Sequence, residues 1–321
     1  MKHFATIARV PGDPILGLLD AYRADGNPAK LDLGVGVYKD ASGLTPIPRA
    51  VKLAEQRLID GETSKTYIGG HGAPEFGERL LELCFGAGYA LLADGLLGAT
   101  QTPGGTGALR LAGEFIARNL PGRGIWLSDP TWPIHETLFA ACGLKVGHYP
   151  YVGADNRLNV EAMLAALAHL PKGDVVLLHA CCHNPTGFDL APRDWKRVLE
   201  VVKARELLPL IDFAYQGFGD GLEEDAAGTR LIVRSLPDAL VAASCSKNFG
   251  IYRERTGILF ALAENTAARD LAQGSMAFLN RQNYSFPPDH GARVVSTILT
   301  DDALRADWAA ELEEVRNTML G

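Results

Sequence analysis

The sequence lacks any hydrophobic run that approaches the length of a membrane-spanning helix, and Met1–Thr6 contains no apolar signal region. It also lacks internal repeats and low-complexity segments. We therefore expect a cytoplasmic protein that does not cross a membrane.

Cysteine is scarce, with five residues that are odd in number and irregularly spaced. We expect most of them to be buried thiols in a reducing compartment rather than members of a disulfide framework. Cys181-Cys182-His183 could suggest a metal site, but no second ligand pair follows at a suitable spacing. The sequence therefore predicts no metal.

Positive charge is also in short supply, because 31 lysines and arginines face 38 acidic residues and leave a net charge of −7. This balance argues against nucleic acid or an anionic membrane as the main partner. The 321 residues, 47% of them hydrophobic, are sufficient for a large core and two domains.

Short apolar runs alternate with helical patterns such as Arg193–Lys203, which predicts an α/β domain with a mainly parallel sheet. The predicted strands are Gly124–Ser128, Asp174–His179, Leu208–Phe213, Ala239–Ala243 and Thr256–Phe260. The N-terminal region differs, since it is rich in Gly, Pro and Asp and has one short extended element at Leu33–Tyr38. At the other end, Asp302–Leu320 has helical spacing, with Asp302 as its expected cap.

Polar residues follow the predicted strands in order. Asp129, Asn184, Asp212 and Lys247 each lie at or just after the carboxyl end of one strand. Ligands of such sheets bind at these ends, so the order favours one shared site over scattered structural residues.

Lys247 is the most informative of these residues. A lysine that is packed among apolar neighbours loses its proton more easily than a solvated lysine, and a neutral amine forms Schiff bases with aldehydes. Pyridoxal phosphate is the commonest aldehyde cofactor used in this way, and Ser244 and Arg255 would then bind its phosphate. The alternative is a surface lysine after a strand.

Other segments match the remaining atoms of that cofactor. Gln101–Arg110 is rich in glycine and precedes a helical pattern, so its backbone amides and Thr106 could bind phosphate. A nucleotide site or a plain tight turn would also fit this loop, although the G-x-G-x-x-G and P-loop patterns are absent. Trp132 could stack on a planar ring or lie in the core, and nearby His135 could support that ring or a carboxylate.

Asn184, in a turn-forming Asn-Pro-Thr-Gly segment, could donate an amide hydrogen to a phenolate oxygen. Tyr215 could bond the same oxygen. Asp212 would pair with a protonated pyridine nitrogen, because a buried carboxylate needs a partner.

Together these residues closely resemble the class I aspartate and aromatic amino acid aminotransferases of fold type I. The resemblance runs from about Asp13 to the last residue. Its motifs are Leu33–Tyr38, Gln101–Arg110, Cys181–Gly187, Asp212–Phe218, Ser244–Arg255 and Asn283–Ser285. It implies a mainly parallel seven-stranded sheet flanked by helices, with an incomplete small domain.

The resemblance also implies roles for individual residues. Lys247 is similar to the Schiff-base lysine, which also moves a proton, and Asp212 and Tyr215 complete the catalytic group. The implied cofactor-binding residues are Gly105, Thr106, Trp132, Asn184, Asp212, Tyr215, Ser244, Ser246, Lys247, Arg255 and, from a neighbouring subunit, Tyr67.

The implied substrate-binding residues are Gly36, Trp132, Asn184 and Arg281. Arg281 resembles the arginine that crosses the interface of a homodimer to bind the side-chain carboxylate of a substrate, which a guanidinium fork suits well. Amino acids and 2-oxo acids are the implied small-molecule partners.

By the same resemblance, residues 1–45 form the N-terminal strip of the small domain and residues 46–300 the large cofactor-binding domain. Residues 301–321 begin the helix that joins the two domains. Family members extend several dozen residues further, into a region with the arginine that binds the substrate α-carboxylate. We therefore expect the sequence to be a fragment of a longer protein.

The predicted function is ping-pong transfer of an amino group from aspartate or an aromatic amino acid to 2-oxoglutarate. One alternative is another pyridoxal phosphate reaction, such as β-elimination or decarboxylation. A second alternative is a truncated chain that binds the cofactor but is catalytically impaired. Arg281 favours dicarboxylates and does not exclude aromatic substrates, because aromatic-accepting relatives let the same arginine swing aside.

Overall fold

The computed structural model describes residues 3–4, 6–8, 14–31, 36–87 and 94–321. The chain divides into two compact units, Met1–Pro46 and Ile47–Gly321. The first unit contains helix α1, Pro14–Ala24. Residues 33–35 of the predicted extended element lie outside the described residues, and residues 36–40 belong to no helix or strand.

The second unit alternates strands and helices, as the sequence predicts. Its strands are β1 (Leu97–Pro103), β2 (Gly124–Asp129), β3 (Lys145–Pro150), β4 (Val175–His179), β5 (Leu208–Phe213), β6 (Ala239–Ser244) and β7 (Thr256–Leu262). Its helices are α2 (Arg49–Gly61), α3 (Pro74–Phe85), α4 (Gly104–Asn119), α5 (Ile134–Ala141), α6 (Val160–Leu167), α7 (Pro192–Ala204), α8 (Ala227–Ser235), α9 (Thr266–Asn283), α10 (His290–Thr300) and α11 (Asp302–Leu320).

The strands form one seven-stranded sheet in the order β1-β7-β6-β5-β4-β2-β3. Among the strands of the described residues, β7 alone runs opposite to the other six, so the sheet is mainly parallel and the predicted fold class is confirmed. All five predicted strands form within one or two residues of the expected bounds. β1 and β3, at the two edges, have no counterpart in the prediction.

The central strands are apolar on both faces, because helices cover both sides of the sheet. On one side, residues such as Val176, Ile211 and Val241 join the core formed with α2, α3, α7 and α10. On the other side, their neighbours Leu177 and Leu210 join the core formed with α4, α5 and α9. The central strands thus alternate their side chains between two separate cores.

The N-cap of helix α11 lies one residue earlier than expected. Asp301, not Asp302, caps it, because the Asp301 side chain accepts from the backbone N–H of Leu304 and Asp302 already lies within the helix. The buried Trp308 ring stacks on Phe249 at 4.4 Å and donates to the carbonyl of Asn248 at 2.7 Å. These contacts fix α11 beside the loop that carries Lys247.

No helix in the described part of the chain is both long and apolar enough to cross a membrane. All five cysteines are free, and three of them, Cys84, Cys181 and Cys245, are buried.

Candidate active site

The candidate site lies at the edge where the parallel strands end. Asp212 is near the end of β5, Asn184 follows β4 and Lys247 follows β6. Because β7 runs in the opposite direction, its first residues lie at this same edge, with Thr256 opposite Pro103 of β1. Arg255, which immediately precedes β7, therefore joins the residues that follow the other strands.

Asp212 is buried and bonded to a histidine. Its Oδ2 lies 3.1 Å from His135 Nε2, and His135 Nδ1 lies 2.8 Å from the hydroxyl of Thr131. Burial raises the pKa of Asp212, but the His135 hydrogen bond and the nearby His179 and Lys247 outweigh burial, so the pKa lies below its ordinary value. The site therefore contains a fixed carboxylate.

Two further histidines lie under this carboxylate. His179 pairs with Asp212 across β4 and β5, and its ring lies 5.4 Å from that of His135 and 4.1 Å from that of His183. Burial lowers the pKa of His179 to about 3 and that of His183 to about 4. Both rings are therefore neutral near pH 7 and add no charge beside Asp212.

His135, His179 and Asp212 also have ligand atoms within 4.8 Å of one another, a spacing that a metal ion could use. Both nitrogens of His135 already have hydrogen-bond partners. The Cys181-Cys182-His183 segment is arranged differently, since His183 bonds the hydroxyls of Ser128 and Thr186, each at 2.9 Å.

Lys247 is half-buried beside Tyr215, with its Nζ 4.8 Å from the centre of the tyrosine ring. Burial lowers the pKa of Lys247, Asp212 raises it in part, and Arg255 lowers it again. The net direction favours a neutral, nucleophilic amine.

Asn184 and Tyr215 converge from two loops. Asn184 Nδ2 lies 3.4 Å from the Tyr215 hydroxyl, so both can donate to one acceptor oxygen. Burial raises the pKa of Tyr215 to about 12, and Asp212 contributes in the same direction. The hydroxyl thus stays protonated and able to donate, and the Asn184–Pro185 peptide is cis.

A group of anion-binding atoms surrounds the start of α4. Gly105 and Thr106 lie in its first turn, where backbone N–H groups have no partner within the helix. A Cβ on Gly105 would lie 3.0 Å from Ser244 Cβ, and one on Gly104 would lie 2.5 Å from Arg255 Nη2. Arg255 Nη1 also donates to Ser246 Oγ at 3.3 Å.

We call Gly104, Gly105, Thr106, Ser244, Ser246 and Arg255 the anion cradle. It combines helix amides, two serine hydroxyls and a guanidinium. These groups donate hydrogen bonds of the kind that phosphate oxygens accept. Gly104 has φ +73° and no space for a side chain, so the cradle requires glycine there.

Trp132 is half-buried and meets the His135 ring edge to face at 5.2 Å. It therefore lies next to the layer that contains Asp212. Asp129, which ends β2, has an exposed side chain, and its carbonyl accepts from Tyr151 N at 3.1 Å.

Tyr67 and Arg281 both contact Phe286 and do not belong to the group around Lys247. Tyr67 is 84% exposed and its ring lies 5.2 Å from that of Phe286. The Arg281 guanidinium lies over the same Phe286 ring at 5.1 Å and donates to Ser285 Oγ. Gly36 lies in the Met1–Pro46 unit, exposed and outside any helix or strand.

Comparison with known proteins shows the family. A family model for aminotransferase class I and II matches residues 28–320. The chain belongs to this family. The membership confirms the resemblance seen in the motifs, and the chain is an aminotransferase.

Two relatives are enzymes with different named substrates. The aminotransferase is 67% identical to an aromatic-amino-acid aminotransferase of Pseudomonas aeruginosa over 317 residues, or 99% of this chain and 79% of that protein. It is 49% identical to an aspartate aminotransferase of Salmonella typhi over 314 residues, or 98% of this chain and 79% of that protein.

A solved structure supports the fold. The aromatic-amino-acid aminotransferase from Burkholderia pseudomallei, covalently bound to pyridoxal phosphate, matches with a TM-score of 0.97 and 40% identity. The match covers 99% of this aminotransferase and 80% of that chain.

Sequence reasoning missed several residues of the aminotransferase site. His179 ends β4 directly opposite Asp212, so the rule that located Asp212 could also have located it. His183 was considered only as part of a metal site that the sequence did not favour, and its hydroxyl partners Ser128 and Thr186 were not predicted. Gly104 could also have been found, because it lies where β1 ends and α4 begins. The start of that helix has no side-chain cap.

Proposed function

We propose that this aminotransferase uses pyridoxal phosphate to move the amino group of aspartate or an aromatic amino acid to 2-oxoglutarate, in two half-reactions that share one site. The observation that carries the proposal is the arrangement around Lys247. A half-buried amine with a lowered pKa lies beside Tyr215, and both Asp212 and Arg255 act on its charge.

The donor set fits each polar part of that cofactor. The anion cradle suits a phosphate, and the Asp212 carboxylate suits a protonated ring nitrogen. Asn184 Nδ2 and the Tyr215 hydroxyl, 3.4 Å apart, suit a phenolic oxygen. Lys247 supplies the amine that attaches an aldehyde. When bound, pyridoxal phosphate supplies that aldehyde and a ring that accepts electrons released at the substrate Cα.

Lys247 has two tasks in this proposal. It would attach the cofactor aldehyde at rest. Once free, the amine would move a proton from the substrate Cα to the carbon that carried the cofactor aldehyde, and in the second half-reaction it would move a proton in the reverse direction. A lowered pKa suits both tasks, because a permanently charged ammonium could neither attack nor accept a proton.

Asp212 would hold a proton at the ring nitrogen of the bound cofactor, since its fixed negative charge favours the protonated form. His135 keeps the carboxylate oriented and, through its hydrogen bond, ionised. Asn184 and Tyr215 would donate to the phenolic oxygen, and Trp132 would stack on the ring and exclude water from one side.

The substrate range follows from Arg281. Its exposed guanidinium can bind the distal carboxylate of aspartate, glutamate or 2-oxoglutarate in a bidentate manner. In this structure the same group lies over Phe286 and donates to Ser285. This position supports dual specificity, because the arginine can stay on Phe286 and Ser285 when an aromatic substrate side chain occupies the site.

We further propose a homodimer with shared sites. Tyr67 and Arg281 are both exposed and both contact Phe286. This supports a role in a neighbouring subunit, with Tyr67 on the cofactor phosphate and Arg281 on the substrate. Gly36 would contact the substrate through its backbone. We also propose a cytoplasmic location, which the five free cysteines support.

The test is a two-substrate assay with Arg281→Leu and a matched control. Arg118→Leu removes another exposed guanidinium, one that lies over the Phe278 ring at 4.7 Å. Native protein should form glutamate and the donor's oxo acid in equal amounts, with parallel double-reciprocal plots. Arg281→Leu should lower kcat/KM for aspartate about a hundredfold and that for phenylalanine far less, while Arg118→Leu should change neither. Equal losses for both donors would remove Arg281 from the proposal.

A further inference from the structure

Two buried amide side chains link the segments that carry Tyr67 and Arg281. Gln101 is 1% exposed and Asn280 is 0% exposed. Neither belongs to the anion cradle or to the Lys247 group. Buried amides are costly unless all their polar atoms have partners, so their contacts indicate what they hold in place.

Gln101, on β1, bonds two distant segments. Its Oε1 accepts from Ala73 N at 3.0 Å, and its Nε2 donates to the Pro288 carbonyl at 2.7 Å. Its backbone N–H donates to the His71 carbonyl at 2.9 Å. A Cβ on Gly72, which has φ +89°, would lie 2.2 Å from Gln101 Cβ, so this loop is pressed directly against the glutamine.

Asn280, on α9, completes the connection. Its Nδ2 donates to the Gln101 carbonyl at 3.2 Å and to the Gly70 carbonyl at 3.5 Å, and its Oδ1 accepts from the Tyr284 hydroxyl. Its backbone carbonyl accepts from the N–H groups of Tyr284 and Ser285, both at 3.0 Å. The side-chain oxygen and nitrogen of both amides therefore have hydrogen-bond partners.

The connected segments flank the two exposed residues. Tyr67 lies three residues before Gly70, and Arg281 is adjacent to Asn280. Phe286, which contacts both Tyr67 and Arg281, lies between Tyr284 and Pro288, two residues that the amide pair bonds. One buried pair thus bonds the segments that carry both side chains.

We propose that Gln101 and Asn280 are positioning residues, which hold Tyr67 and Arg281 in the geometry that a neighbouring subunit's active site requires. The inference rests on the proposed shared dimer site. It adds that this amide pair sets the positions of the residues that each subunit contributes to that site. Because β1 leads directly into the anion cradle, the same pair also connects a subunit's own phosphate site to Tyr67 and Arg281, the residues that this subunit contributes to its partner's site.

Mixed dimers distinguish the effect of a substitution on a subunit's own site from its effect on the partner's site, because Lys247→Ala can inactivate one site at a time. In the first pairing, an Asn280→Ala chain is combined with a Lys247→Ala chain, so the working site has its own variant amide and borrows from a native segment. In the second pairing, a chain with both substitutions is combined with a native chain, so the working site borrows from the variant segment.

We expect the second pairing to show a KM for aspartate about tenfold higher than native, since small displacements of a binding group are costly. The kcat and the kinetics with phenylalanine should change less than about threefold. The first pairing should stay near native. Calorimetry also reports silenced sites, so succinate, an unreactive dicarboxylate, is titrated into Asn280→Ala homodimers, in which both sites borrow a variant segment. Its binding should be weaker than in native dimers, which gives a readout without turnover.

Three further variants make the test decisive. Arg281→Ala in the same pairings tests the shared site itself, and a loss confined to the first pairing would overturn the dimer proposal. Gln216→Ala removes another buried amide, one that bonds the carbonyls of Leu83 and Leu222, and should not affect the borrowing site. Tyr284→Phe removes only the hydroxyl that bonds Asn280 and should reproduce the Asn280→Ala pattern more weakly, even if the alanine variant folds poorly.

If Arg281→Ala acts across the interface but Asn280→Ala and Tyr284→Phe raise the KM for aspartate equally in both pairings, or only in the first, the positioning role is wrong. No change in either pairing would also overturn it.

Discussion

His135 Nε2 lies 3.1 Å from Asp212 Oδ2, and the opposite ring nitrogen of His135 lies 2.8 Å from the Thr131 hydroxyl. The carboxylate can only accept, so the Nε2 proton lies on the histidine. The other ring nitrogen, Nδ1, bonds the Thr131 hydroxyl. This chain of two hydrogen bonds fixes the direction of the Asp212 carboxylate.

His135→Leu should move the acidic limb of the pH profile of kcat/KM to higher pH. Burial raises the pKa of Asp212, and the histidine is the largest influence that lowers it. Without His135 the carboxyl becomes protonated at a higher pH, so activity is lost earlier as the pH falls. Thr131→Val, which removes only the second hydrogen bond, should give a smaller shift in the same direction. An unchanged acidic limb in His135→Leu would show that His135 does not control Asp212.

Gly104→Ala should weaken pyridoxal phosphate binding by about tenfold or more, because the new Cβ would lie 2.5 Å from Arg255 Nη2 in the anion cradle. Gly122→Ala is the matched control, since Gly122 also has positive φ, +84°, but has no atom within 4 Å of its would-be Cβ. Both variants should lose about 1 kcal/mol of stability from backbone strain. Equal cofactor affinity in the two variants, measured by equilibrium titration, would argue against the cradle.

Lys247 in the cofactor-free protein should react with a small uncharged acylating reagent at lower pH than an exposed lysine such as Lys52, because burial and Arg255 lower its pKa. Asp212→Asn should move the midpoint lower still, since the carboxylate is the group that raises the pKa of Lys247. Mass spectrometry of the Lys247 and Lys52 peptides gives both curves from one digest. A midpoint that rises in Asp212→Asn would contradict the proposed electrostatics.

Much of the fold and site was predictable because its signals are local. The central strands are continuous apolar runs, and Asp212, Asn184 and Lys247 follow them along the chain. β1 escaped prediction because Gly, Thr and Gln interrupt its apolar pattern, and α3 and α9 provide its burial. β3 escaped because it is a largely exposed edge strand that begins with Lys145 and ends with Pro150.

The remaining features depend on tertiary contacts. Asp301 and Asp302 are equivalent in sequence, and only the backbone decides that Asp301 is extended, at φ −96° and ψ 116°, and caps α11. Gln101 and Asn280 are 179 positions apart, so no local pattern joins them. The clustering of Tyr67 and Arg281 around Phe286 likewise follows from how α9 packs beside β1.

The most direct test of the account is a single turnover without a second substrate. Protein loaded with pyridoxal phosphate is mixed with L-aspartate or L-phenylalanine, and the oxo acid and free ammonia are quantified by mass spectrometry and enzymatic assay. The account predicts about one oxo acid per subunit and no ammonia, because the amino group stays with the protein until an acceptor arrives. Lys247→Ala should yield none, while Lys52→Ala should behave as native. Release of ammonia in step with the oxo acid, or an unchanged yield from Lys247→Ala, would contradict it.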